Sequence, residues 1–251
     1  MSERERIVTA LREALARNRP ALEAIARATS HEPPPFVHEP QPDVVGHFVS
    51  EVERLHARAH RCAGDAAAYD MIGRIVKEHQ ARTILAWDEQ FIGLPGFDGW
   101  LKTQGVARAD ARLKPCATEA MAQDAAAAVV QDFSPVDRRA RLQGLEPVPL
   151  GITGADVAIA ESGTVILLGG AGRPRLASLL PPAHIAVVRP HQLVRGLGEA
   201  LARLKERYGA AMFDDASNLT FITGPSRTAD IELTLTLGVH GPREVHIVII
   251  T

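Results

Sequence analysis

The chain has 251 residues, of which 46% are hydrophobic and 23% charged, values that are ordinary for a globular protein able to bury a sizeable core. The formal net charge is −2, and the 28 lysines and arginines are dispersed. Because nucleic acids and anionic membranes select a basic face, neither is predicted as a partner. The two cysteines, Cys62 and Cys116, are too few for a four-thiolate iron–sulfur cluster or zinc site.

The N-terminal sequence is charged from its third residue and lacks the apolar stretch of a secretory signal. No run approaches the roughly 20 apolar residues that a membrane-spanning helix needs. We therefore predict a cytoplasmic enzyme or binding protein without a membrane span.

Residues 3–28 have apolar positions near helical spacing, which predicts one or two amphipathic helices, with Pro20 at a break or a second start. Residues 30–43 are proline-rich and predict an extended linker. The expected organisation is an N-terminal arm and linker over 1–43 and a single domain over 44–251. The arm must bury its apolar stripe against its own domain or against a second subunit, and the second alternative implies a homo-oligomer.

From residue 44 to 150, helical and strand patterns alternate, which predicts a mostly parallel sheet covered on both faces by helices. His56 and His60 are four residues apart, but a strand starting after Ala57 would separate them, so both are interpreted as solvated. The expected elements are helix 44–58, weak strand 57–63, helix 66–79, strand 83–87, a loop or short helix at 91–100, strand 113–116, helix 118–131 and a crossover at 134–150.

The last hundred residues contain two stretches in which apolar runs meet glycine-rich bends, 151–172 and 218–251. They are predicted to be strands of a buried sheet whose ends carry a polar pocket. Further elements expected here are buried strands at 184–188, 219–223 and 245–250, and an amphipathic helix at 191–208.

The first candidate site follows the predicted strand 219–223, where Gly224-Pro225 leads into Ser226, Arg227 and Thr228. If a helix begins here, its free N–H groups and Arg227 can hold a phosphate or carboxylate. The alternative is that Ser226 or Thr228 only caps that helix. Asp230 and Glu232 beyond it could reach Arg227, Arg243 or His240. Asp230 is a candidate ligand-binding residue, and a structural ion pair would also explain both carboxylates.

The second candidate lies in the sequence AESGT, where Glu161 is next to Thr164 and an apolar run. A carboxylate placed there is a candidate general base, nucleophile or ligand anchor, or else a surface residue at a hairpin bend. Asp156 is a candidate turn cap. Arg173 and Arg175 follow a glycine-rich loop and either bind an acidic group or face solvent.

The third candidate is the turn before the last strand, which carries His240 and Arg243. His240 is a candidate proton carrier and Arg243 a candidate ligand for an anion. His240 and His246, with or without His184, could be metal ligands, but the six-residue separation of the first two matches no known signature. No metal site is therefore predicted, and structural roles are favoured.

The segments TGADVAIAESGTVILL, GRPRLASLLPPAHIAVV and ITGPSRTADIELTLTLGVHGPREVHIVI resemble the LUD domain of the lactate-utilisation protein C family. The resemblance covers roughly residues 150–251 through several motifs, and loosely the chain from about residue 45. Ser162 stands where the family often has threonine, a change that keeps the hydroxyl group.

The resemblance implies a three-layer α/β/α fold like that of the NagB, ribose-5-phosphate isomerase and CoA-transferase superfamily. It also implies an accessory role in oxidising L-lactate to pyruvate, with the iron–sulfur cluster or FAD carried by partner subunits and no cofactor in this chain. The expected ligand is a small anion. The alternatives are an independent enzyme acting on a phosphorylated or CoA-linked molecule, with Glu161 as nucleophile by analogy of fold, and a structural assembly protein.

Overall fold

The computed structural model describes residues 3–28, 43–109, 143–209, 212, 216–229, 235–238 and 240–251. The chain divides into two compact units, Met1–Val37 and His38–Thr251. In the first unit, α1 (Glu3–Ala28) is one helix that contains Pro20, so the proline does not separate two helices. No helix in the described ranges is both long and apolar enough to cross a membrane.

The second unit alternates helices and strands, as the sequence predicts. Its first part consists of α2 (Val44–Arg54), β1 (Arg58–Cys62), α3 (Gly64–Glu78), β2 (Thr83–Ala86), α4 (Glu89–Ile92), α5 (Phe97–Thr103) and β3 (Ala107–Arg108). The strand predicted at 113–116, the helix at 118–131 and most of the crossover at 134–150 lie outside the described residues.

The second part of this unit starts at residue 150. Its strands and helices are β4 (Leu150–Thr153), β5 (Val157–Ile159), β6 (Thr164–Gly170), α6 (Leu176–Leu179), β7 (Ala183–Val188), β8 (Leu193–Val194), α7 (Leu197–Tyr208), β9 (Ala216–Ile222), β10 (Arg227–Ala229), β11 (Leu235–Leu237) and β12 (Glu244–Ile250).

The main sheet has six strands in the order β1-β12-β7-β4-β2-β3, and every neighbouring pair is parallel. Every residue of β4 and β7 is buried, as are six of the seven in β12, because helices cover both faces of the sheet. Gly151 faces α6, since a Cβ there would lie 1.7 Å from the Ala177 carbonyl oxygen. The predicted mostly parallel α/β fold is confirmed.

A second sheet of four strands, in the order β8-β5-β6-β9, was not predicted. A short 3-10 helix, Ala160–Ser162, and Gly163 with φ +59° connect β5 to β6, and this tight connection makes the two strands antiparallel. The expectation of one buried sheet is therefore wrong in part: β4 pairs with β7 in the main sheet, but β5 and β6 within 151–172, and β9 over 219–222, lie in the second sheet. In this sheet β9 is an edge strand on which Phe221 is 46% exposed.

Two further helix predictions differ from the structure, the first of them only over its first six residues. The segment predicted as helix 191–208 begins with a 3-10 helix, Pro190–Gln192, and strand β8, and only then forms α7. The cause is that Leu193 and Val194 pair with β5. After Ser226 the chain forms β10, which pairs with β11, so the helix N-terminus predicted there is absent from this described segment.

Candidate functional site

The carboxyl ends of the parallel strands bring charged residues to one edge of the main sheet, which we call the carboxyl edge. Asp65 follows β1, Asp88 follows β2, Asp156 follows β4 and Arg189 follows β7. In open α/β sheets this edge is where ligands bind, because loops and helix N-termini leave it open there.

Arg173 reaches this edge from the second sheet through a tight turn after β6. Gly170 and Arg173 close the turn by exchanging backbone hydrogen bonds of 3.1 and 3.0 Å. The backbone N–H of Asp88 donates to the carbonyl oxygen of Gly172 at 2.7 Å, which attaches the turn to the carboxyl edge. Gly172 has φ +70°, and a Cβ there would lie 2.5 Å from Asp88 Oδ2, so only glycine fits.

The Arg173 side chain is buried in a polar and aromatic environment. Its Nη1 donates to Asp156 Oδ1 at 3.3 Å and to the Tyr208 hydroxyl at 3.4 Å, and its guanidinium lies 4.8 Å from the Phe91 ring centroid. Its Nε–H is buried and has no hydrogen-bond acceptor among the residues that the structure describes. A buried donor of this kind costs free energy unless an acceptor reaches it.

Asp156 and Tyr208 fix the position of the guanidinium. The Tyr208 hydroxyl donates to Asp156 Oδ1, while Asp156 Oδ2 accepts from the Leu168 backbone N–H at 2.7 Å. Burial, followed by the hydrogen bond to Asp156, raises the pKa of Tyr208, so the phenol stays protonated and keeps donating. Within the described residues, Arg173 thus has one ionic partner, Asp156, and one buried donor, the Nε–H, that is still without an acceptor.

Two other arginines at the carboxyl edge are already paired. Arg108 donates to Asp88 at 3.1 Å and also to Asp98, and Arg189 donates to Asp65 at 2.6 Å and to the Gly93 carbonyl oxygen. The indole N–H of Trp87, the residue after β2, is buried and lacks an acceptor within the described part of the chain. Within the described residues, the buried donors at this edge that lack an acceptor are therefore the Arg173 Nε–H and the Trp87 indole N–H.

Thr164 and Arg227, predicted to line the same pocket as Arg173, lie elsewhere. Thr164 starts β6 and Gly170 ends it, so about 20 Å of strand separates Thr164 from the Arg173 turn. The Thr164 hydroxyl is 2.8 Å from the hydroxyls of Ser162 and Thr223. The Arg227 guanidinium donates to the carbonyl oxygen of Leu55, just after α2.

The third predicted turn lies at the opposite edge of the main sheet, which we call the amino edge. Ser226 N–H donates to the Pro242 carbonyl oxygen at 2.8 Å, and Arg243 N–H donates to that of Pro182 at 2.9 Å, just before β7 and β12 begin. His240 is exposed in this turn. Asp230 and Glu232 lie outside the described residues. Ser226 and Arg243 are therefore together, but far from Arg173.

Glu161 is exposed at the bend between β5 and β6, as in the predicted alternative of a surface residue at a hairpin bend. Its Oε1 accepts a hydrogen bond from the Leu197 backbone N–H at 2.9 Å, so the carboxylate caps the N-terminus of α7. Among the residues predicted for a single pocket, Arg173 alone stands at the carboxyl edge in the described chain.

The histidines divide between the two faces of the main sheet. His246 pairs in register with Ile185 and His184 with Val245, so their side chains point to opposite faces. Thr153 Oγ1 is 2.9 Å from His184 Nε2. Burial lowers the pKa of His184 to about 3, and burial together with neighbouring His60 and Arg58 lowers that of His246 to about 3.

His60 contacts His246, although the sequence predicted a solvated side chain. His60 Nε2 lies 3.0 Å from His246 Nδ1, and the two rings stack with centroids 5.3 Å apart. Burial lowers the pKa of His60 as well. Since His184 points to the other face and His240 is exposed, the metal-binding combination of His240, His246 and His184 considered from the sequence is not formed.

Comparison with known proteins identifies the family. Residues 45–250 match the model of the LUD domain. Curated relatives named "Lactate utilization protein C" include one from Halalkalibacterium halodurans, 32% identical over 71% of this chain and 67% of that protein, and one from Geobacillus sp., 38% identical over 45% and 46%. The chain thus aligns with about half to two thirds of their length.

A solved structure supports the fold. The crystal structure of a DUF162 family protein from Deinococcus radiodurans superposes with a TM-score of 0.55 and 20% sequence identity, covering 85% of this chain and all of that one. At this identity the likeness concerns the fold alone. The family match extends over most of the chain and includes the main sheet, the second sheet and the Arg173 turn. The chain therefore belongs to the LUD domain family.

Proposed function

We propose that this chain serves lactate utilisation as a subunit without a redox centre, and that it binds a small carboxylate-bearing ligand at the Arg173 site of the carboxyl edge. The names of the curated relatives support the link to lactate utilisation, and the cysteine content supports the lack of an iron–sulfur cluster. The surroundings of Arg173 support the second. L-Lactate and its oxidation product pyruvate both carry a carboxylate and fit the proposed ligand class.

One observation carries the ligand proposal: the Arg173 Nε–H is buried and finds no acceptor in the described ranges of the chain. A ligand carboxylate would accept from this donor, and charge-assisted hydrogen bonds are about twice as strong as neutral ones. Asp156 and Tyr208 hold the guanidinium on its other side. Glu161, Thr164, Ser226, Arg227, His240 and Arg243 are left out of this site because they lie elsewhere.

The absence of a redox centre is proposed from the cysteine content of the chain. Its two cysteines are 54 positions apart in the sequence, whereas an iron–sulfur cluster is normally held by four thiolates. Cys62 is buried in β1, and burial raises the pKa of its thiol, which disfavours the thiolate that binds metal. An iron–sulfur cluster would therefore belong to partner proteins. FAD does not need cysteines, and we assign it to partner proteins only because the resemblance to the lactate-utilisation family implies it.

The ligand proposal is tested by thermal unfolding of the purified chain with L-lactate, pyruvate, CoA esters and sugar phosphates. A ligand that binds only the folded state raises the melting temperature by mass action. We expect lactate or pyruvate to raise the melting temperature of the parent but not of Arg173→Lys, which keeps the positive charge and loses the Nε–H donor. Arg175→Lys makes the same change at an exposed arginine and should respond like the parent. Equal shifts in both variants would refute the site. A response to CoA esters or sugar phosphates alone would instead favour the independent enzyme.

The subunit role needs a separate experiment. L-Lactate oxidation by the iron–sulfur partner proteins, assayed with an artificial electron acceptor, should depend on added chain. The same rate with and without the chain would contradict the accessory role, and activity of the chain alone would contradict its lack of a redox centre.

A further inference from the structure

At the amino edge, on the face covered by α3, three side chains turn ligand atoms toward one another. Glu244 begins β12, His246 follows it on the same face of the strand, and His79 lies at the C-terminal end of α3. One ligand atom from each lies within 4.8 Å of the other two. His79 Nε2 and His246 Nε2 are each 3.8 Å from Glu244 Oε2.

The two imidazole nitrogens have no hydrogen-bond partner among the residues that the structure covers, although both atoms are buried. His246 itself is only 1% exposed. Buried polar nitrogens are normally paired, so two that face one carboxylate oxygen at 3.8 Å, beyond hydrogen-bonding distance, require an explanation. A cation held between them would satisfy all three groups at once.

We infer that His79, Glu244 and His246 form a binding site for a divalent transition-metal ion such as Zn²⁺. Two imidazoles and one carboxylate are a common zinc ligand set, and three protein ligands leave one position for water. In a tetrahedral site with ligand distances of about 2.0–2.1 Å, ligand atoms lie roughly 3.4 Å apart. The imidazole nitrogens lie 3.8 Å from Glu244 Oε2 and within 4.8 Å of each other, so the three groups must move closer together, and the partly exposed Glu244 and His79 can do so.

His60 completes the site as a partner of a ligand. If His246 binds the metal through Nε2, its Nδ1 carries the proton and donates to His60 Nε2, which is 3.0 Å away. Metal-binding histidines usually use their other ring nitrogen in this way, and the contact fixes both the tautomer and the ring orientation. The contact between His60 and His246 would thus orient His246 for metal binding.

Arg58 is the cation that now faces this carboxylate, with Nη2 3.8 Å from Glu244 Oε2 and Nη1 3.5 Å from Glu78. Its side chain is 54% exposed, so it can move away when a metal enters. This site lies at the amino edge, opposite Arg173, and its test is independent of the proposed lactate role.

The test uses the full-length untagged chain, stripped with a chelator and then dialysed against Zn²⁺, with bound metal counted by mass spectrometry and affinity measured by competition with a chromophoric chelator. We expect one Zn²⁺ per chain. Binding should weaken by at least about tenfold in His79→Gln, Glu244→Gln and His60→Ala. Loss of the hydrogen-bond partner of a metal ligand, the role of His60, already costs about 10–100-fold in affinity. The conservative variants at His79 and Glu244 avoid the buried His246, whose replacement risks unfolding.

Two controls separate this site from general binding by surface histidines. His191→Gln removes an exposed histidine after β7, at the other edge of the sheet, and should leave both stoichiometry and affinity unchanged. Arg58→Ala should retain binding, because Arg58 is a competitor and not a ligand. The inference is overturned if the parent binds no Zn²⁺, or if His79→Gln and Glu244→Gln bind it as tightly as the parent.

Discussion

The Glu161 carboxylate accepts a hydrogen bond from the backbone N–H of Leu197 at 2.9 Å, so a residue at the β5–β6 bend caps a helix that begins 36 positions later. The first N–H groups of a helix have no partner within the helix, and the helix dipole favours a negative charge at this end. The position of Glu161 is thus explained by the structure of the second sheet and α7.

We predict that Glu161→Ala lowers the free energy of unfolding by about 1 kcal/mol, the usual cost of losing a helix cap. Denaturant unfolding measures this change. Glu206→Ala, on the exposed side of the same helix, is the matched control and should change stability by less than about 0.5 kcal/mol. If Glu161→Ala is as stable as the control, the capping role is wrong.

Gly151 and Gly99 should respond in opposite ways to alanine. A Cβ on Gly151 would lie 1.7 Å from the Ala177 carbonyl oxygen, which forces α6 away from β4 and should cost at least about 1–3 kcal/mol, the range for overpacked cores. Gly99 is exposed in α5 and has nothing within 4 Å of a new Cβ, so alanine should stabilise by up to about 1 kcal/mol. Melting temperatures of the two variants test this; a tolerated Gly151→Ala would contradict the close packing of α6 on β4.

Buried His184 should make stability depend on pH. Burial lowers the pKa of His184 to about 3 in the folded chain, from its ordinary value of 6.5 in the unfolded chain. Between these two values the unfolded state binds a proton that the folded state excludes. Its contribution is fully present above pH 6.5 and is lost as the pH falls from there toward 3, with a slope of about 1.4 kcal/mol per pH unit. Urea unfolding between pH 6 and 5, in chelator, should show a shallower slope for His184→Gln. An unchanged slope would show that His184 does not exclude the proton.

Tyr208 should contribute to stability through Asp156. Removing its hydroxyl in Tyr208→Phe deletes a hydrogen bond to a carboxylate, which should cost about 1.5–3 kcal/mol. Denaturant unfolding measures the loss. The double variant with Asp156→Asn should lose less than the sum of the single variants, since the two side chains are in contact. Additive losses would mean that the hydrogen bond contributes little.

The main sheet was predictable because its central strands are continuous apolar runs between helices, as at 184–188 and 245–250. The second sheet was not, since β5 and β6 are equally apolar and periodicity does not distinguish parallel from antiparallel pairing. Strand pairing also explains why the helix predicted at 191–208 begins only at Leu197: Leu193 and Val194 fit helical spacing but pair with β5 instead.

The site was only partly predictable. Arg173 was predicted as a residue that binds an anion, and this stays a prediction. Asp88 and Arg189, which lie at the same edge, were missed, although both directly follow predicted buried strands and the carboxyl-end rule points to them. Tyr208 could not be found in this way, because only the docking of α7 on the second sheet brings it to Asp156. The contact between His60 and His246, which are 186 residues apart in the sequence, depends on the pairing of β1 with β12.

The most direct test of the proposed function observes the Arg173 Nε–H itself. In chain labelled with ¹⁵N-arginine, its resonance is assigned as the one lost in Arg173→Lys, and L-lactate and pyruvate are then titrated. The proposal predicts that one of them shifts this resonance strongly and saturably, while the Nε–H of exposed Arg175 stays in place. If the Arg173 resonance is unchanged at millimolar concentrations of both ligands, the proposed carboxylate site is wrong.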